Sequence, residues 1–110
     1  MKTQQLFITF ALGLGAGMGT VGLAQASDGE SLLKDNGCLS CHAKAEKIVG
    51  PSYLSVADKY RGDKDAVAAL VQSIQNGSKG KWGRIPMPAH GSMSQDDLKT
   101  VARYVLGMKP

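Results

Sequence analysis

The chain has 110 residues, 43% of them hydrophobic and 5% aromatic, with 13 Lys and Arg against 9 Asp and Glu. The basic residues are scattered, with no arginine-rich block and no interleaved aromatics, which argues against a nucleic-acid-binding surface. The remaining excess of positive charge suits a docking partner that is acidic.

The first segment reads "MKTQQLFITFALGLGAGMGTVGLAQASDGE". Lys2 is its only charge before Asp28, an apolar run starts at Leu6, and "AQA" at 24–26 is a small-x-small cleavage pattern. This is the layout of a secretory signal peptide over residues 1–26, cut after Ala26. The competing reading is a retained anchor: Leu6 to Ala24 is close to the roughly 20 residues a membrane span needs, and Gly13, Gly15, Gly17 and Gly19 would let it pack. Cleavage is preferred because the run ends in a cleavage tripeptide and not in a basic stop-transfer cluster. What remains, 27–110, is one domain with 12 basic and 9 acidic residues, one Trp, three Tyr and no Phe. At that size a core of side chains alone is marginal, and an aromatic-poor chain gains much from a large apolar cofactor.

The domain reads as all-α, with four helical segments and no convincing strand. "SDGESLLKDNG" offers Ser27 or Asp28 as N-cap, Leu32 and Leu33 for burial and Gly37 as a stop. After Pro51, "SYLSVADKYRG" is a short helix with Tyr53, Leu54, Val56 and Ala57 for the core, ending at Gly62. "GDKDAVAALVQSIQNG" takes Asp63 as cap, with Val67, Leu70, Val71 and Ile74 at i, i+3, i+4, i+7 and Asn76-Gly77 as closure. "SMSQDDLKTVARYVLGM" takes Ser94 as N-cap, Asp96 and Asp97 in the first turn and a stripe of Leu98, Val101, Val105 and Met108. Between the last two helices lies "NGSKGKWGRIPMPAHGSM", rich in Gly and Pro and without a period. A loop that long in so small a domain is usually functional or disordered, and Trp82, Ile85 and Met87 argue against disorder.

The two cysteines sit in "DNGCLSCHAKAEKIVGP". A thioredoxin-type redox pair requires a βαβ pattern that is missing here. A zinc site counted from Cys38, Cys41, His42 and His90 is awkward, because adjacent Cys41 and His42 cannot easily share one tetrahedral ion. A plain disulfide across so short a loop gains little. C-x-x-C-H is instead the attachment signature of c-type haem. Residues three apart in a helical turn share a face, so Cys38 and Cys41 reach two vinyl-derived carbons on one porphyrin edge, and His42 brings Nε2 to the iron. The iron's second axial position decides between an electron carrier and an open, reactive site. Its candidates are Met87, His90 and Met93. Met87 is the preferred one, since Pro86 and Pro88 fix the backbone on both sides of a soft, neutral thioether.

With "GCLSCH", "KIVGPSY", "IQNGSKGKWGRIPMP" and "ARYVLGM" in hand, the chain resembles a short bacterial class I cytochrome c over essentially all of 27–110. The resemblance implies the class I fold, about four short helices around one haem c bound through two thioether bonds. It implies Cys38 and Cys41 as the covalent attachment points and His42 and Met87 as axial ligands. Pro51 matches a proline whose carbonyl accepts the histidine Nδ1–H. Trp82 matches a tryptophan whose indole N–H reaches a haem propionate, packing being the plainer alternative. Two places depart from relatives: "PMPAH" lacks a second proline and the following Asn, and Gln72 and Ser73 stand near where some relatives carry a propionate-pairing basic residue. The implied function is periplasmic, non-enzymatic transfer of single electrons between respiratory complexes and a reductase or terminal oxidase. Redox partners are expected to dock transiently at the exposed haem edge, around Ile48, Val49, Ile85, Pro86 and Pro88 with Lys44, Lys47, Lys79 and Lys81 as a basic rim. Neither nucleic acid nor, once the signal is removed, membrane is expected as a partner, and the protein is expected to be monomeric.

Overall fold

The computed structural model describes residues 28–110, with Gly13, Gly15 and Gly17 as isolated positions before them. The expected signal peptide and its cleavage point after Ala26 otherwise lie outside the described residues. Four α-helices follow: α1 Gly29–Asp35, α2 Tyr53–Lys59, α3 Ala66–Asn76 and α4 Gln95–Leu106, with a 3₁₀ turn at Cys38–Ser40. Among the described residues no helix is long and apolar enough to cross a membrane.

Helix α4 is the hub against which the other three pack. Ser94 opens it, its hydroxyl accepting from the Asp97 backbone N–H at 3.1 Å, and Asp96 and Asp97 add carboxylates to the first turn, where the helix dipole favours them. The expected stripe is realised: Leu98, Val101 and Val105 are buried, with Leu98 and Ala102 wholly enclosed. Met108 lies just past the helix and is half-buried. Helix α1 lays Leu32 and Leu33 against this core. Its N-cap is Asp28, which accepts from Glu30 N. The Cβ that any larger residue would place at Gly29 would collide with the Tyr104 side chain of α4, so the glycine sets the distance between the two helices.

Helix α1 ends at Asn36, and Gly37 takes φ +71°, a left-handed conformation that glycine adopts without steric cost. The chain can therefore turn at once into the cysteine segment. Helix α2 starts at a cap the sequence reading did not name. The Ser52 hydroxyl accepts from Ser55 N at 3.1 Å, while Tyr53, Val56 and Ala57 are buried and Leu54 only partly so. Helix α3 begins later than expected, at Ala66 after Asp65. Asp63 still caps, one turn early: its carboxylate accepts from Asp65 N at 2.8 Å and its carbonyl from Ala66 N at 3.2 Å. Leu70, Val71 and Ile74 are buried as expected, and Val67 is half-buried.

The long segment 77–93 has no helix. It carries one isolated antiparallel bridge, Ser78 to Met87, which the all-helical reading did not foresee.

Candidate functional site

The site begins with backbone hydrogen bonds around the cysteines. Within the 3₁₀ turn the Cys38 carbonyl accepts from both Cys41 N at 3.2 Å and His42 N at 3.0 Å. These bonds hold Cys38, Cys41 and His42 in one tight arch. Both cysteines are free thiols, Cys38 buried and Cys41 partly so. Burial, chiefly, pushes the Cys38 thiol up; a hydrogen bond from its own backbone works against this, and the nearby Cys41 adds a smaller upward push.

Residues 43–54 then fold back beneath the histidine. Gly50 N donates to Cys41 O at 2.7 Å, Tyr53 N to Ala43 O at 3.0 Å and Leu54 N to Lys44 O at 3.0 Å. The last two are first-turn donors of α2 that have no partner inside their own helix, so the start of α2 is tied to the segment after His42. His42 Nδ1 lies 2.7 Å from the Pro51 carbonyl oxygen. A carbonyl only accepts, so Nδ1 carries the proton and Nε2 keeps its lone pair. Gly50 is required by closeness: a Cβ there would stand 2.5 Å from His42 Cε1 and 2.9 Å from Nδ1. On another side the Tyr53 ring stacks on the imidazole, centroids 5.4 Å apart at 26°. The imidazole is thus fixed by a carbonyl, a backbone and an aromatic face, all supplied by residues 50–53. Tyr53 also carries a buried hydroxyl with no hydrogen-bond partner, and burial, chiefly, raises its pKa far above the ordinary phenol range.

The opposite wall comes from 77–88. Ser78 N donates to Met87 O at 3.1 Å and Met87 N to Ser78 O at 2.8 Å. Pro86 and Pro88 have no N–H to extend this pairing, so the bridge remains a single clamp on Met87. Gly77, at φ +81°, permits the approach: a Cβ there would lie 2.7 Å from the Met87 carbonyl oxygen. Three residues on, His90 N donates to Ile74 O at 2.8 Å, joining the loop to the last turn of α3.

Between the walls is a cleft of about 990 Å³, its open mouth included. Cys38, Cys41, His42, Pro51, Trp82 and Met87 all line it, so every site residue expected from the sequence comes to one place. Leu33, Val56, Leu70, Ile74, Val101 and Val105 form its floor, drawn from all four helices. His90 and Met93, the other axial candidates, are not among the lining residues. Met93 is buried in the core, and the His90 Nδ1 is buried without a hydrogen-bond partner. Nor do the residues named for a zinc site assemble: among the described residues no three His, Cys, Asp or Glu side chains gather to hold a metal ion.

Some features escaped the sequence reading. The Tyr53 stack and the need for glycine at 50 depend on contacts that no periodicity encodes. Lys59 places its ammonium 4.6 Å from the Trp82 ring centroid, and Lys81 Nζ donates to Ser73 Oγ at 3.0 Å at the cleft wall. Ile48, Val49 and Ile85 are exposed large apolar residues, and Val49 and Ile85 also line the cleft.

Comparison with known proteins bears on this arrangement. A family model described as "Cytochrome C oxidase, cbb3-type, subunit III" matches residues 24–105. The chain is 49% identical over 86 residues to cytochrome c-551 of Pseudomonas aeruginosa, spanning 78% of this chain and 82% of that protein. It is 41% identical over 92 residues to cytochrome c-552 of Hydrogenobacter thermophilus, spanning 84% and 91%. The crystal structure of wild-type Nitrosomonas europaea cytochrome c552 superposes with a TM-score of 0.70 at 40% identity, covering 73% of this chain and 99% of that one.

Proposed function

The chain belongs to the small class I monohaem cytochromes c, and from that premise we propose that it is a periplasmic carrier that passes single electrons between a respiratory donor and a reductase or terminal oxidase. It is an electron carrier and not an enzyme, and its cofactor is one covalently bound haem c.

The residues fit that group. Two thiols, an imidazole with a free Nε2 and a thioether line a cleft that is otherwise mostly carbon. Cys38 and Cys41 would hold the haem through two thioether bonds, each S–H adding across a vinyl group without an external oxidant. His42 and Met87, on the walls of the same cleft, would hold the iron. Bound there, the haem would supply a one-electron Fe(III)/Fe(II) couple.

The protein's own contribution is orientation and exclusion of water. The hydrogen bond from His42 Nδ1 to the Pro51 carbonyl fixes the tautomer and makes Nε2 a stronger donor. The clamp at Ser78 presents Met87 on a backbone stiffened by two prolines. The apolar floor lowers the polarity around the metal, which favours the less charged reduced state. The convergence of Cys38, Cys41, His42 and Met87 on one apolar cleft carries the reading.

Redox partners follow from the family. We assign their docking surface to the cleft mouth, where Ile48, Val49 and Ile85 are exposed. Pro86, Pro88, Lys44, Lys47, Lys79 and Lys81 are exposed as well. Contacts of this kind are small and transient, and the lysines mainly raise the encounter rate with an acidic partner. The export signal over 1–26 is cleaved after Ala26, and the mature protein works as a monomer.

The test is covalent haem on protein exported to the periplasm. Haem staining that survives denaturing electrophoresis is expected, together with a mass increase of one haem; protein of the unmodified mass would overturn the reading.

A further inference from the structure

Haem carries two carboxylates, and the cleft has little to meet them. Its lining contains no Asp or Glu and a single permanent cation, Lys81. That ammonium is held, at 3.0 Å, by the hydroxyl of Ser73. Ser73 is one of two buried polar residues of the described core, on the cleft-facing side of α3. A serine buried among apolar side chains is normally expected to find a hydrogen-bond partner, and here the partner comes from eight residues away in the loop. Among the described residues, Lys81 has no carboxylate within ion-pair distance. The next residue, Trp82, also lines the cleft and lies beneath the Lys59 ammonium of α2.

We propose that Lys81, positioned by Ser73, is the carboxylate-binding residue of the cofactor site, forming a charge-assisted hydrogen bond to one haem carboxylate. This rests on the haem reading above. A fixed ammonium beside the carboxylate favours its ionised form and lowers its pKa. The same positive charge disfavours the oxidised iron, so Lys81 also raises the reduction potential. The charged groups that would stand beside that carboxylate are Lys81 from the loop and, across Trp82, Lys59 from α2. Helix α3 lines the cleft with Leu70, Ser73 and Ile74, none of them charged.

The test uses exported, haem-loaded protein and measures midpoint potential from pH 5 to 9 for the wild type and for Lys81→Met, Lys81→Arg and Ser73→Ala. Lys81→Met is expected to lower the potential on the alkaline side. It should also move the carboxylate's step, where potential falls as pH rises, to higher pH. Lys81→Arg should restore the wild-type profile, and Ser73→Ala should shift it part of the way towards Lys81→Met. Lys81 is exposed and Ser73→Ala removes only a hydroxyl from the buried Ser73, so these variants are expected to fold, and haem content and optical spectrum verify it. A Lys81→Met protein with wild-type spectrum and an unchanged potential–pH curve overturns the assignment while leaving the haem reading intact. Wild-type protein without covalent haem overturns both.

Discussion

His42 shows how much of this site is decided by single residues. Its imidazole is held by the Pro51 carbonyl at Nδ1, by Tyr53 across a face and by the bare Cα of Gly50. Gly50→Ala puts a methyl group 2.5 Å from Cε1. The ring must shift, and overpacking of this sort costs roughly 1–3 kcal/mol. The holoprotein's thermal midpoint should fall and its axial-ligand spectrum broaden; a midpoint equal to wild type would show that the ring is not clamped as described. Met87→Ala removes the proposed thioether ligand. Ferrous protein should then bind carbon monoxide at neutral pH and the reduction potential should drop. A spectrum identical to wild type would transfer the ligand role to His90 or Met93. The residues that carry chemistry were legible because C-x-x-C-H and P-M-P are chemical patterns in their own right. Gly50, Tyr53 and Lys81 were not, because their roles arise from contacts between segments. Sequence inspection noted the lack of a basic residue at Gln72 and Ser73; only the fold shows the Lys81 ammonium resting on Ser73.

At the scale of elements, caps and stripes explain most of what could be read in advance. Ser94 was identified because Ser followed by two carboxylates before an apolar run is a strong start signal, and its hydroxyl does accept from Asp97 N. Ser94→Ala should cost about 1 kcal/mol, seen as a lower denaturant midpoint with an unchanged haem spectrum. Loss of the axial ligands at the same time would mean that α4 and the cleft are more tightly coupled than a surface cap allows. Leu98→Ala, wholly enclosed in the first turn of α4, should cost about 2–5 kcal/mol; a smaller loss in chemical denaturation would place the core elsewhere. The start of α3 was read two residues early because Asp63 is a good cap by type and does cap a turn, but one that precedes the helix. The Ser78–Met87 bridge was invisible because prolines at 86 and 88 and glycines at 77, 80 and 83 erase any strand period.

For the molecule as a whole, an apolar cleft reaching a floor made by four helices cannot be filled by the side chains that line it. The cofactor supplies the missing interior, which fits a small domain whose aromatic content is low. Two lengths of chain, 38–54 and 77–90, owe their order to a few backbone hydrogen bonds and to what lies between them. Electron exchange with an acidic partner should slow as ionic strength rises from 0.01 to 0.15 M, where the screening length contracts from about 30 to 8 Å. A rate indifferent to salt would remove the lysines from the docking surface. The most direct test of the whole account is the absorption spectrum of periplasm-exported protein in both oxidation states. A six-coordinate haem is predicted, with a weak methionine-to-iron band when oxidised and no response to carbon monoxide when reduced. A folded but colourless protein would contradict it.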